Sequence, residues 1–241
     1  MKGIPHTSLH MGNRTAIRMP LSGEYATEET TAVLWSPRSD VPQAVFVLGH
    51  GGRAKGRTPS ELIDQQLSGI ASGLCDRGHA VVAFNFLYSE RGLRQPDPPS
   101  VLESVFRDAI ALAAGYYGRP IVLGGRSMGA FIASRLASNG ADCIGLCLLA
   151  YPLHPPLERG GRVRVDHWDS ISQPVLFVQG EFDNRSNQDL WHRFAPRLRS
   201  PVVLEIIPGG NHQFVVPGRD HEEVRGTIAT LMADWVVGVL Q

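Results

Sequence analysis

Six short apolar runs, most of them separated by helical patterns, constrain this chain more than any other feature. They are Ala44–Leu48, Ala80–Phe86, Pro120–Leu123, Cys143–Ala150, Pro174–Val178 and Val202–Ile207. The runs are rich in Val, Ile, Leu and Phe, and mostly continuous rather than alternating. Strands covered by helices on both faces have this composition, because neither face meets water. Thr31–Trp35 reads as an additional strand, and Thr15–Met19 as another at a sheet edge.

The intervening segments carry helical spacing. In Ser60–Cys75, Leu62, Leu67, Ile70 and Leu74 repeat near the helical period, Ser60 can cap, and Glu61 sits at the end the helix dipole favours. Ser100–Tyr116 stops at Gly118, and Met128–Ser138 stops at Gly140. Asn187–Leu198 and His221–Leu240 complete the set. Tyr151–Gln173 holds Pro152, Pro155, Pro156 and a Gly160-Gly161 pair, and reads as a loop with one helical turn. The alternation predicts an α/β fold with an open, mostly parallel, doubly wound sheet and right-handed crossovers. Residues 1–241 are expected to form a single domain, with 1–13 as an irregular leading segment. Ligands of such sheets bind at the carboxyl ends of the strands.

The chemistry-bearing residues collect at those ends. Gly125-Arg126-Ser127-Met128-Gly129 matches G-x-S-x-G between a strand and a helix. Small residues at Gly124, Gly125, Gly129 and Ala130 permit the sharp turn that lifts the Ser127 hydroxyl into the open. A serine hydroxyl needs a base, and the base needs an orienting acid. In this context the chain order is serine, acid, histidine. Asp183 in VLFVQGEFDNRS is the expected acid, with Glu181 as the alternative. His212 in IIPGGNHQF is the expected base. His154 in YPLHPP is its rival, but precedes Asp183 and so breaks the order; it suits the pocket lining better.

The loop after the first central run, VFVLGHGGRAKGRT, permits two readings. Gly51–Thr58 approaches a nucleotide-binding loop, but Arg57 stands where lysine belongs and Pro59 removes a backbone donor. Gly49-x-Gly51-x-x-Ala54 mimics a dinucleotide fingerprint, yet the next run ends in Asn85-Phe86 without an acid for a ribose. The other reading is half of an oxyanion hole, with Gly52 supplying one backbone N–H and Met128 the other. Arg53 is the second choice of donor and a candidate for substrate binding, together with Arg126, Tyr151 and His154.

Composition narrows the partners. Lys+Arg and Asp+Glu both number 23, which argues against a nucleic-acid binder. No run of about 18 apolar residues predicts a membrane span, and MKGIPHTSLHMGNRT contains no secretory signal, so a cytoplasmic location is expected. Three cysteines are too few for a disulfide framework. Cys75, Cys143 and Cys147 are expected as buried thiols, the last two on one side of a strand. No His or Cys spacing fits a metal, and no cofactor is expected. Arg53, Lys55, Arg57, Arg91, Arg94, Arg126 and Arg185 would gather on the active face, as solvated loop charge or as selectors of an acidic substrate.

Together HGG at 50–52, GGRSMG at 124–129, GEFD at 180–183 and NH at 211–212 resemble the α/β-hydrolase superfamily over nearly the whole chain. The short length and absence of a cap insert resemble its small dienelactone-hydrolase-like branch, from whose true members serine rather than cysteine at 127 departs. The resemblance implies attack by Ser127 on a carboxylic ester or thioester of small size, with His212 as base and Asp183 as its orienter. The alternative is a non-catalytic binding or scaffold protein that retains the same fold.

Overall fold

The computed structural model describes residues 14–38, 41–52, 63, 67–154, 163–186 and 188–241. Eight strands form one sheet: β1 (Arg14–Pro20), β2 (Glu29–Trp35), β3 (Val45–Gly49), β4 (Ala80–Phe84), β5 (Ile121–Arg126), β6 (Gly145–Leu149), β7 (Val175–Gly180) and β8 (Val202–Ile207). Their spatial order is β1-β2-β4-β3-β5-β6-β7-β8. Strand β2 pairs antiparallel with β1 and with β4, and all other pairings are parallel. Among the described residues the helices with bounds are α1 (Ser68–Cys75), α2 (Leu87–Glu90), α3 (Pro99–Tyr117), α4 (Met128–Ser138), α5 (Gln188–Phe194) and α6 (His221–Val239).

The continuous apolar runs are continuous because each supplies two layers. Val45, Val47, Val82, Phe84, Leu123, Leu148 and Phe177 pack on one face with α3 and α4. Phe46, Leu48, Val81, Ala83, Val122, Cys147, Leu149 and Val178 pack on the other with α1 and α6. Successive residues thus serve opposite layers, as the pleat requires. Helix α6 starts where Asp220 accepts hydrogen bonds from the N–H groups of Glu222 and Glu223 at 2.8 and 3.3 Å. Such a cap is worth about 1 kcal/mol.

Several boundaries differ from those the sequence predicts. The expected helix start, with Ser60, Glu61 and Leu62, lies outside the described residues and is not one of these differences; α1 is described from Ser68. Helix α5 ends at Phe194 and is followed by a 3-10 turn, Ala195–Arg197. The 151–173 segment carries a single 3-10 turn, Trp168–Ser170, among the described residues. Strand β6 begins only at Gly145, so Cys143 precedes it. Cys143 joins the layer of α3 and α4 while Cys147 joins the opposite one, and the expected shared side is corrected. Among the described residues no helix is long and apolar enough to cross a membrane.

Candidate active site

The site is built where β5 runs into α4. Ser127 takes φ 53° and ψ −110°, a conformation that costs a non-glycine residue on the order of 1–3 kcal/mol. Surrounding contacts hold it there. Its N–H donates to the carbonyl of Leu149 at 2.8 Å, and its own carbonyl accepts from the N–H of Phe131 at 3.0 Å. Helix α4 passes so close to β3 that a Cβ on Gly129 would lie 2.0 Å from the Gly49 carbonyl oxygen. The second glycine of G-x-S-x-G is therefore demanded by backbone-to-backbone approach. Gly125 is demanded twice over, by φ 146° and by a Cβ position 2.3 Å from the same oxygen.

His212 reaches Ser127 from the loop after β8. Its Nε2 lies 3.0 Å from Ser127 Oγ. Its Nδ1 faces both carboxylate oxygens of Asp183, at 2.9 and 2.8 Å. These partners assign the proton to Nδ1 and leave Nε2 to accept from the serine hydroxyl. Burial lowers the His212 pKa most strongly, Asp183 opposes that shift, and Arg126 and Arg185 add to it; the net direction is down. The imidazole is thus neutral near pH 7, the form a general base requires.

The loop around His212 is ordered by its neighbour. Asn211 Oδ1 accepts from the N–H groups of Gln213 at 2.8 Å and Val215 at 3.1 Å. Asp183 is oriented in turn by the N–H of Arg185, which donates to Oδ1 at 2.9 Å. Gln179 is a supporting residue that sequence reasoning missed. With its amide oxygen facing the N–H of Tyr151 at 2.7 Å, its nitrogen lies 3.3 Å from Asp183 Oδ2. The available signal was an amide near the end of the otherwise apolar run VLFVQ. Glu181, the alternative acid, turns elsewhere and accepts from the N–H of Gly209 at 2.8 Å.

The loop after β3 lies beside the Ser127 turn, because Gly49 pairs with Gly125 across the sheet. His50 anchors it. The ring is fully buried, with Nδ1 2.7 Å from the carbonyl of Gly51 and Nε2 accepting from the N–H of Phe86 at 3.2 Å. Burial pushes its pKa down to about 4, so it is a neutral strut. Gly52 follows, exposed, and is the last described residue of this loop. Met128 is the first residue of α4, so its N–H has no acceptor within that helix.

Two residues expected to bind substrate are placed differently. Tyr151 is fully buried: its hydroxyl donates to the carbonyl of Arg164 at 2.7 Å and accepts from Trp168 Nε1 at 3.2 Å. Ala150, at φ 45°, redirects the chain just before it. Arg126 is 7% exposed and donates from Nη2 to the carbonyl of His212 at 2.7 Å, so it grips the protein. His154 is half-buried in the segment that follows β6, its N–H 3.4 Å from the Arg185 carbonyl. Arg53, Lys55 and Arg57 lie outside the described residues. Of the other members of the expected basic cluster, Arg91 is engaged by Glu28 at 2.5 Å.

A family model described as an alpha/beta hydrolase domain matches residues 42–237. Among solved structures, the chain is similar to an alpha-beta serine hydrolase homologue from Coxiella burnetii, with 18% identity, a TM-score of 0.71, and coverage of 95% of this chain and 100% of that one. It is similar to an esterase domain from Rhodothermus marinus at 15% identity and a TM-score of 0.72, covering 95% and 99%. A dienelactone hydrolase from Anabaena variabilis matches at 17% identity and a TM-score of 0.68, also covering 95% and 99%.

Proposed function

The chain belongs to the alpha/beta hydrolase family, and on that premise we propose that it is a serine hydrolase of carboxylic esters or thioesters working through an acyl-enzyme. One observation carries this reading: Ser127, His212 and Asp183 stand in hydrogen-bonded series, with the serine 3.0 Å and the carboxylate 2.8 Å from opposite ring nitrogens. Ser127 Oγ attacks the carbonyl carbon as His212 Nε2 takes its proton. The resulting imidazolium is stabilised by the Asp183 carboxylate, which also fixes its orientation. The amides of Gly52 and Met128 receive the oxyanion, each donor being worth on the order of 3 kcal/mol. His212 then protonates the leaving alcohol or thiol. Water, deprotonated by the same nitrogen, releases the acid and restores the serine. No step draws on a cofactor. His154 and Arg53 remain the candidates for substrate contact, and residues 1–241 are read as one hydrolase unit.

A fluorophosphonate probe tests the reading, followed by a panel of neutral and carboxylate-bearing esters and thioesters. Covalent labelling that maps to Ser127, and is lost with turnover in Ser127→Ala, is expected. A folded protein that resists the probe and turns over no member of the panel would assign the chain to a binding or scaffold role instead, and undiminished turnover in Ser127→Ala would rule out Ser127 as the nucleophile.

A further inference from the structure

A charged guanidinium buried at the end of a central strand is costly unless its surroundings use it. Arg126 is such a group: it ends β5 and is 7% exposed. Its hydrogen bond goes to the backbone carbonyl of His212, at 2.7 Å. One peptide bond separates Arg126 from Ser127, so the strand that presents the nucleophile also grips the loop that presents the base. The charged and titratable groups around it are Asp183, which favours its charge, and Arg185 and Arg225 of α6, which oppose it. Around His212 stand Ser127, Asp183, Arg126 and Arg185.

We propose that Arg126 is a positioning residue, which ties the backbone of His212 to the nucleophile strand and, by its charge, disfavours a second positive charge on that imidazole. It acts through His212 and makes no contact with substrate. The tether sets the approach of Nε2 to Ser127 Oγ, and the charge keeps the imidazole in its basic form toward lower pH. Burial brings the Arg126 pKa down to about 10, so the cation persists at neutral pH. The inference rests on His212 being the base. It differs from the reading of Arg126 as an anchor for an acidic substrate, which its burial and its bond to His212 disfavour.

Two measurements separate these roles. NMR titration of ring-labelled histidines, with His212 assigned by loss of its signal in His212→Asn, reads the imidazole without turnover. In Arg126→Met the His212 titration is expected to move up by on the order of one unit, because a nearby like charge has gone. Arg126→Gln, which keeps a donor but no charge, should move it likewise, and Arg126→Lys should restore it. On a neutral ester, Arg126→Met should lower kcat by about 10–100-fold, as a misplaced base does, with KM little changed. The acid limb of its kcat/KM profile should shift to higher pH in step with the titration.

An unmoved titration in folded Arg126→Met overturns the proposal, as does a loss confined to KM for carboxylate-bearing esters. If Arg126→Met does not fold, Gln against Lys carries the test, and identical His212 titrations in those two overturn it. A chain inert toward every ester leaves the titration arm readable. Failure of Ser127 to take the fluorophosphonate would instead sink the hydrolase reading, so the two failures are distinguishable.

Discussion

The loops after β3 and β8 each place a buried histidine at the carboxyl edge of the sheet, yet the two rings are fit for different work. His50 sits between a carbonyl and an amide, and no carboxylate bonds to it among the described residues. Both its nitrogens are occupied by backbone, and burial drives its pKa down to about 4 although the hydrogen bond to the Gly51 carbonyl opposes the shift. His212 has one nitrogen on the Asp183 carboxylate and the other on a hydroxyl. Burial lowers its pKa too, but Asp183 opposes that, leaving a ring able to accept a proton. A buried histidine becomes a base when a carboxylate offsets its desolvation and one nitrogen faces something that gives up a proton.

The largest expected effect breaks this pair apart. His212→Ala should lower kcat by at least about a thousandfold while leaving the melting temperature within a few degrees. Asp183→Asn should cost nearly as much, because an amide no longer holds the Nδ1–H tautomer or stabilises the imidazolium. His50→Ala should do the reverse: a large loss of thermal stability and a much smaller loss of kcat in whatever remains folded. Steady-state kinetics beside thermal melts decide it. Equal kinetic losses at both histidines would erase the distinction.

The next effect concerns how the β3 loop is brought to the Ser127 turn. Helix α4 touches β3 through Gly129 and the Gly49 carbonyl, and a Cβ there would lie 2.0 Å from that oxygen. Gly129→Ala should therefore destabilise the protein by about 3 kcal/mol or more, since backbone has to move. Urea denaturation measures it. A loss below about 1 kcal/mol would mean that the β3 loop and the Ser127 turn are not rigidly joined.

Why the hydrogen-bonded series of Ser127, His212 and Asp183 was legible in the sequence, and its supports were not, follows from the same geometry. A serine flanked by glycines between a strand and a helix is a covalently local pattern, and Asp183 and His212 each follow a strand end. Side-chain direction is not local. Arg126 could be placed on the active face from sequence, but only the folded loop shows that it bends back to the carbonyl of His212. Tyr151 follows a strand end, as a pocket residue should, yet the positive φ of Ala150 sends its ring into the core. In CIGLCLLA the apolar run is continuous, so nothing marks Gly145 as the start of β6, and the facing of Cys143 was misjudged. Helix α2, four residues long, has too few turns to show a period.

A smaller effect sharpens the comparison through pH. His50 has a folded pKa near 4 against an ordinary value of 6.5. Between those values the unfolded chain takes up a proton that the folded chain refuses, so stability is lost as pH falls through that window. A gap of that size corresponds to about 3 kcal/mol of stability lost on going from pH 7 to pH 4. In His50→Asn this contribution to the slope should vanish, even though the variant starts lower at pH 7. Denaturation midpoints at several pH values give the slope, and an unchanged slope would show that His50 is not the group refusing the proton.

The smallest effect belongs to Gly52, where the β3 loop would meet the oxyanion. Unlike Gly129, this glycine is not demanded by its surroundings: among the described residues nothing lies within 4 Å of a Cβ built there. Under the proposed oxyanion role, a small residue there would leave room for the approach of substrate. Gly52→Ala should leave stability within about 0.5 kcal/mol, as open surface positions do. It keeps the backbone N–H, so the proposed oxyanion donor survives, and kcat should fall only a few-fold. Bulk is a different matter: Gly52→Val should raise KM more for large acyl groups than for acetyl esters, by crowding the carbonyl it is meant to receive. Comparing acetyl and longer-chain esters across the two variants reads this out. A uniform loss of kcat in both, independent of acyl size, would place the second oxyanion donor at Gly52 in doubt and move it further along the loop.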